Sequence, residues 1–158
     1  MDPLLFRRVM GRFATGVTVV TGLDSGGTPF GFTANSLSSV SLDPPLVSVC
    51  VDRRADSHDP LIDSSAFAVN ILTDRQESVA RRFASPTERA ARWEGLDWQP
   101  GTHGVPVFEG VLGWIVCRAW KTIAAGDHTL LLGTVEEAEG FDGSPLLYFR
   151  GSYGRVDG

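Results

Sequence analysis

The residues best suited to chemistry lie in the stretch 31–41, GFTANSLSSVS. Hydroxyl and amide side chains at this density satisfy backbone groups locally, which frees main-chain N–H and C=O groups to face a ligand. A run of small residues can bring those groups close to the edge of a flat heteroaromatic ring; a polar loop between strands accounts for the same composition. The stretch 51–58, VDRRADSH, follows a strand-like run and leads into a helix start. Arginine forks and the free amides of a helix start make a phosphate cradle, and a solvated charged turn is the plainer alternative. A third element is Gly126-Asp127-His128, between two expected strands. A histidine there can orient a ligand amide or donate to a developing negative charge, or simply satisfy backbone groups. His58 and His103 have no comparable setting and receive no role. Phe32, Trp114, Trp120, Tyr148, Phe149 and Tyr153 offer faces for offset stacking. Trp114 and Trp120 share one face of a strand by parity, which favours core or interface over ligand.

These residues need elements to position them. Asp2 followed by Pro3 is a helix start, with Leu4, Leu5, Phe6, Val9, Met10 and Phe13 at roughly helical spacing up to Gly16. GVTVVT at 16–21 reads as a strand, DSGG at 24–27 as a hairpin turn and 28–33 as the returning strand. The serine-rich stretch 35–41 reads as a loop closed by Pro44 and Pro45, and 46–51 (LVSVCV) as another strand. A short helix is expected over 56–65, a strand over 66–72 and an amphipathic helix over 75–83 with Val79, Ala80 and Phe83 inward. The polar stretch 87–100 reads as a loop with a helical turn. Long strands are expected over 111–123 and 129–139, and 146–149 and 151–156 finish the chain. Many strands with few, short helices describe a mainly β fold, a barrel with decorating helices. No GxGxxG and no GxxxxGK occurs, so any nucleotide is held without a Rossmann turn or a P-loop.

Bulk properties narrow the function. At 158 residues the chain is expected to be one domain, 1–158, large enough for a single core. A net charge of -5 argues against nucleic acid as a partner, yet leaves room for a local anion site. The basic residues are almost all arginine, with Lys121 the one lysine, and arginine suits phosphate and carboxylate geometry. Cys50 and Cys117 sit in apolar runs, outside any CxxC pair and without His-rich spacing. Buried reduced thiols are therefore expected, with no metal site. With no signal-peptide pattern and no run near the ~20 apolar residues that cross a bilayer, a cytoplasmic protein without a membrane partner is expected.

In order and spacing, these segments resemble the flavin reductase family, the small reductase components of two-component flavin-dependent monooxygenases. The resemblance runs through Phe13-Ala14-Thr15-Gly16-Val17, Gly31-Phe32-Thr33-Ala34-Asn35-Ser36, and Ser38 to Leu46 (SSVSLDPPL). It continues in Asp52-Arg53-Arg54, Phe67-Ala68-Val69-Asn70-Ile71-Leu72, Gly126-Asp127-His128 and Pro145-Leu146-Leu147-Tyr148. It implies a flavin-binding split β-barrel, an NAD(P)H:flavin oxidoreductase acting on FMN or FAD with NADH or NADPH, and a homodimer with the flavin near its interface. It implies a partner monooxygenase that receives reduced flavin. By the same resemblance Thr33, Ala34, Asn35, Ser36, Ser38 and Ser39 line the ring and ribityl chain, with Cys50, Val51 and Asp52 alongside. Arg53, Arg54 and Ser57 lead towards the phosphate, Arg82 and Phe83 close that end, and His128 and Tyr148 hold the nicotinamide. A flavin carrier or sensor on the same barrel, or a reductase of a non-flavin acceptor, are the competing functions. No general acid, base or nucleophile is expected, because hydride transfer relies on the proximity of two cofactors.

Overall fold

The computed structural model describes residues 1–156. Helix α1 (Pro3–Met10) starts as expected, with the Asp2 carboxylate accepting from the Leu4 amide at 3.0 Å. Strand β1 (Thr15–Gly16) leads into β2 (Thr18–Leu23), which pairs antiparallel with β3 (Pro29–Ala34). Their connection is the expected turn, in which the Asp24 carboxylate accepts from the amides of Gly26 and Thr28. Then come β4 (Ser38–Leu42), β5 (Pro45–Asp52), α2 (His58–Asp63), β6 (Ala66–Ile71) and α3 (Glu77–Ala84). Next are β7 (Trp98–Pro100), β8 (Pro106–Phe108), β9 (Gly113–Ala125), β10 (His128–Gly140), β11 (Leu147–Phe149) and β12 (Ser152–Gly154).

The main sheet has seven strands in the order β3-β2-β6-β9-β10-β5-β4. It does not close, since β3 and β4 remain its edges, but it curls far enough for the inward residues of nearly every strand to share one core. Val20, Phe30, Val49, Phe67, Val69, Cys117 and Leu131 meet there with Leu61 of α2. Alternate residues of the same strands, Val19, Ala68, Trp114 and Val116, face a second core beneath α3 and β8. The period of two thus assigns each strand's side chains to two interiors, the arrangement of a split β-barrel. Each large side chain fully buried here contributes about 1.5–3 kcal/mol. Gly133 makes room for one of them, because a Cβ there would come within 2.5 Å of the Phe67 ring.

Two elements differ from the sequence reading. Residues 38–42, expected within a loop, form edge strand β4, with Ser38 opposite Ser48 and Leu42 opposite Pro45. Most of β4 is exposed, so it lacks the hydrophobic alternation that announces a strand. The stretch 87–100 does contain its helical turn, Ala90–Trp93, but it also supplies β7, which pairs with β8. Trp114 and Trp120 part company as well. Trp114 is buried in the core, whereas Trp120 is 60% exposed. The register passes from Ala119 opposite Gly133 to Lys121 opposite Leu132, so Trp120 is the extra residue of a β-bulge, and a bulge breaks the parity argument.

Among the described residues no helix is long and apolar enough to cross a membrane.

Candidate functional site

A cleft of about 600 Å³ opens where four segments end side by side. The end of β3 and the residues after it supply Phe32, Thr33, Ala34, Asn35 and Ser36. The end of β5 and the turn beyond supply Cys50, Asp52, Arg54, Ala55, Asp56 and Ser57. Phe83 to Pro86 enter from the end of α3, and His128 begins β10.

The wall after β3 is held by its own hydroxyls. Thr33 Oγ1 donates to the Ala80 carbonyl at 2.6 Å, fastening β3 to α3. Ser36 Oγ accepts from the Cys50 amide at 3.0 Å, clipping the wall to β5. These hydroxyls fix the wall in place, and the Ala34 carbonyl is held in turn by Thr18 Oγ1 at 2.7 Å. Gly31 lets Phe83 reach the floor, since a Cβ at 31 would lie 2.9 Å from the Phe83 ring. Phe83 is in turn braced edge-on by Trp93, with ring centroids 5.2 Å apart.

The turn after β5 gathers the polar groups. Asp52 Oδ1 accepts from the Arg54 amide at 2.8 Å, and the Arg54 guanidinium returns to the same carboxylate at 3.2 Å. Hydrogen bonding from the Arg54 side chain, and then from its backbone amide, lowers the Asp52 pKa to about 2. Ser57 is 1% exposed, and its hydroxyl has no hydrogen-bond partner among the described residues. A buried hydroxyl left unpaired costs about 1–3 kcal/mol, a cost that a ligand oxygen placed in the cleft would relieve. On the same rim as Asp52, His128 is its direct partner in the β10–β5 register. Its Nδ1 is 2.7 Å from Asp127 Oδ1. The two-residue turn Gly126-Asp127, with Gly126 at φ +66, delivers it there.

Thr33, Ala34, Asn35, Ser36, Cys50, Asp52, Arg54, Ser57, Phe83 and His128 are therefore brought to one cleft. The other candidate residues lie elsewhere. Ser38 lines a second cleft, of about 710 Å³, which shares Asn35 and Ser36 with the first and continues to Thr15, Phe13 and Met10. Ser39 is exposed on β4, and the Val51 side chain is buried in the core. Arg53 is exposed, and its amide donates to the Asp127 carbonyl at 3.0 Å. Arg82 turns away to donate to the Glu94 carbonyl at 2.7 Å. Tyr148 packs edge-on against Tyr153 on the small sheet, opposite Thr15.

The sequence reading missed Ser85, Pro86, Asp56 and above all Arg92. Arg92 is 4% exposed and reaches three walls of the cleft at once. It donates to both Asp56 oxygens at 3.1 and 2.7 Å, to the Thr87 carbonyl at 3.1 and 2.9 Å, and to the Gly31 carbonyl at 3.3 Å. Its one sequence signal is a charged residue among Ala90, Ala91 and Trp93 in an otherwise polar stretch.

Comparison with known proteins accords with this geometry. The family model described as flavin reductase like domain matches residues 10–157. The reductase component of the flavin-dependent trigonelline monooxygenase of Acinetobacter baylyi is 42% identical over 149 residues, covering 93% of this chain and 47% of that protein. A flavin reductase of Pseudomonas putida is 40% identical over 155 residues, covering 98% and 90%. The Streptomyces globisporus NADH:FAD oxidoreductase, solved with NAD and FAD fragments, superposes with a TM-score of 0.92 at 39% identity, covering 99% of this chain and 93% of that one. The chain spans between about half and two-thirds of the length of the first curated relatives it matches.

Proposed function

The chain belongs to the flavin reductase like domain family, and on that premise we propose that it is an NAD(P)H:flavin oxidoreductase whose main cleft holds FMN or FAD. The observation that carries this reading is one cleft joining a wall of small residues (33–36), a tethered guanidinium (Arg54), an orphaned buried hydroxyl (Ser57) and a rim histidine (His128). The residues present fit a phosphate-bearing flavin. Arg54 and the Ser57 hydroxyl suit its phosphate, and the small wall residues suit the polar edge of its ring. When bound, flavin supplies the position that accepts a hydride from a dihydronicotinamide.

The chain's own residues bind, orient and exclude water. Backbone amides of the wall favour negative charge that develops on the ring edge. Phe32, Phe83 and Pro86 keep the floor apolar. Asp127 engages Nδ1 of His128, which orients the imidazole and leaves Nε2 to contact the nicotinamide amide. NADH is the favoured donor by likeness to the S. globisporus enzyme, and a monooxygenase is the favoured recipient of reduced flavin by likeness to the A. baylyi component.

We also propose a homodimer. Leu4, Phe6, Val9, Met10 and Phe13 are all more than half exposed around α1. Met10 and Phe13 wall the second cleft, which shares Asn35 and Ser36 with the first. A second copy covering this face would complete the ring end of the site. Titration with FMN, FAD and riboflavin, followed by flavin fluorescence, tests the binding; dissociation constants above about 1 mM for all three would refute it. Sedimentation at twice 17.0 kDa tests the dimer.

A further inference from the structure

Most arginines near the clefts are committed: Arg54 to Asp52, Arg81 to Glu77, Arg89 to Asp24, Arg92 to Asp56 and Arg118 to Glu136. Arg7, Arg8, Arg12 and Arg150 are not. They converge with Gly11 and Gly151 on a separate cleft of about 420 Å³. Among the described residues none of the four has a carboxylate partner. In a chain of net charge -5, four cations around one hollow repel each other unless an anion sits among them.

Local structure explains only part of this. Arg7 and Arg8 occupy the last turn of α1, where the helix dipole favours cations. Arg12 lies beyond the helix, and Arg150 arrives from the β11–β12 turn. Arg150 adopts φ +52, a left-handed conformation that is costly without glycine. Its amide donates to the Gly11 carbonyl at 2.8 Å, and its guanidinium stacks 5.0 Å from the centre of the Phe149 ring. The hairpin turn is thus pinned to the helix end, with cations on both sides of the hollow.

We propose that this cleft is a binding site for the phosphate or diphosphate group of a small molecule, clamped between Arg7 and Arg8 on one side and Arg150 on the other. Guanidinium forks match phosphate oxygens in pairs. The hollow falls in the size range of small-ligand pockets, roughly 300–1,000 Å³, which favours a small anion over a flat acidic protein surface. The site does not depend on the flavin reading, because it shares no residue with the main cleft.

Calorimetric titration of the full chain with inorganic pyrophosphate at low salt tests it. The expected result is saturable binding, one per chain, with a dissociation constant below about 1 mM. The double variant Arg8→Gln/Arg150→Gln weakens it at least about tenfold, with an unchanged melting temperature because both side chains are exposed. The control Arg75→Gln/Lys121→Gln, which removes the same charge elsewhere, changes it less than about twofold. No saturable binding, or equal weakening by the control, overturns the proposal. So does failure of pyrophosphate where a polyglutamate peptide binds through Arg8 and Arg150, since the face would then serve an acidic protein. Competition identifies the source of the group. Displacement by NADPH alone assigns a 2′-phosphate, displacement by NADH as well assigns a diphosphate, and displacement by neither assigns a free phosphate compound.

Discussion

Arg92 clasps Asp56 through two guanidinium nitrogens, and through the same side chain it holds the carbonyls of Gly31 and Thr87. The three anchored segments are the strand leading to the 33–36 wall, the turn carrying Ser57 and the loop carrying Ser85 and Pro86. One buried arginine, itself part of the cleft lining, therefore holds the three segments together.

Replacing it by Met should loosen all three walls. Arg92→Met is expected to destabilise the fold by about 1–3 kcal/mol, because the buried Gly31 carbonyl loses its donor and the Thr87 and Asp56 segments lose their anchor. Flavin affinity should fall with it. Asp56→Asn should also cost about 1–3 kcal/mol, since it leaves Arg92, whose side chain is 5% exposed, a buried cation without its carboxylate. Urea unfolding of both variants checks this, and an Asp56 change without effect on stability would refute the clasp.

Ser57 should separate stability from binding. Ser57→Ala removes an unpaired buried hydroxyl, so the ligand-free protein should be as stable or up to about 1 kcal/mol more stable. FMN binding should weaken by about 1–1.5 kcal/mol, roughly five- to tenfold, while riboflavin, which lacks the phosphate, should bind unchanged. Melting curves and paired titrations measure the two effects. Loss of stability with no change in FMN affinity would return Ser57 to a purely structural role.

Much of this was legible in sequence, for reasons that particular residues show. The Asp2-Pro3 helix start and the Asp24 turn rest on local chemistry, and the structure reproduces both. The clustering of Thr33, Ser36, Arg54, Ser57 and His128 followed from a resemblance spanning the chain rather than from any one motif. Local pattern could not reveal β4, whose exposed serines carry no alternation, nor Arg92, whose partners lie 36 and 61 residues away. Arg82 and Phe83 were expected together at the phosphate end. Neighbours on a helix point about 100° apart, so Phe83 enters the cleft while Arg82 caps the next turn.

The Asp52–Arg54 tether sets an acid limit. Asp52 has its pKa lowered from 3.8 to about 2, so the folded state favours the ionised form. Its contribution is present above pH 4 and is lost as pH falls towards 2. Asp52→Asn should flatten the fall of stability between pH 4 and pH 2, by lowering the melting temperature near neutrality, where the tether is intact, and leaving it little changed near pH 2. Arg54→Gln should weaken FMN more than riboflavin at every pH. Acid melting series and the paired titrations decide both points.

The two thiols should differ in reactivity. Burial pushes the Cys117 thiol up to about 12, whereas Cys50 is only partly buried and lines the main cleft. A thiol reagent should modify Cys50 alone in the native protein, at least about tenfold more slowly when FMN is bound. Because the Cys117 value is raised, its contribution to stability is full below about pH 9 and declines as pH rises towards 12. Two fast-reacting thiols in the folded protein, or no protection by FMN, would contradict the placement of these cysteines.

The reading of the main cleft as a flavin reductase site is tested most directly by anaerobic stopped-flow mixing of flavin-loaded protein with NADH, following the flavin absorbance. Rapid bleaching is expected that saturates with NADH and slows in His128→Ala, by roughly five- to 150-fold in kcat/KM for about 1–3 kcal/mol of lost orientation. Flavin affinity in that variant should stay unchanged. Tight flavin binding with bleaching no faster than in the absence of protein would contradict the account and leave the cleft to a flavin carrier.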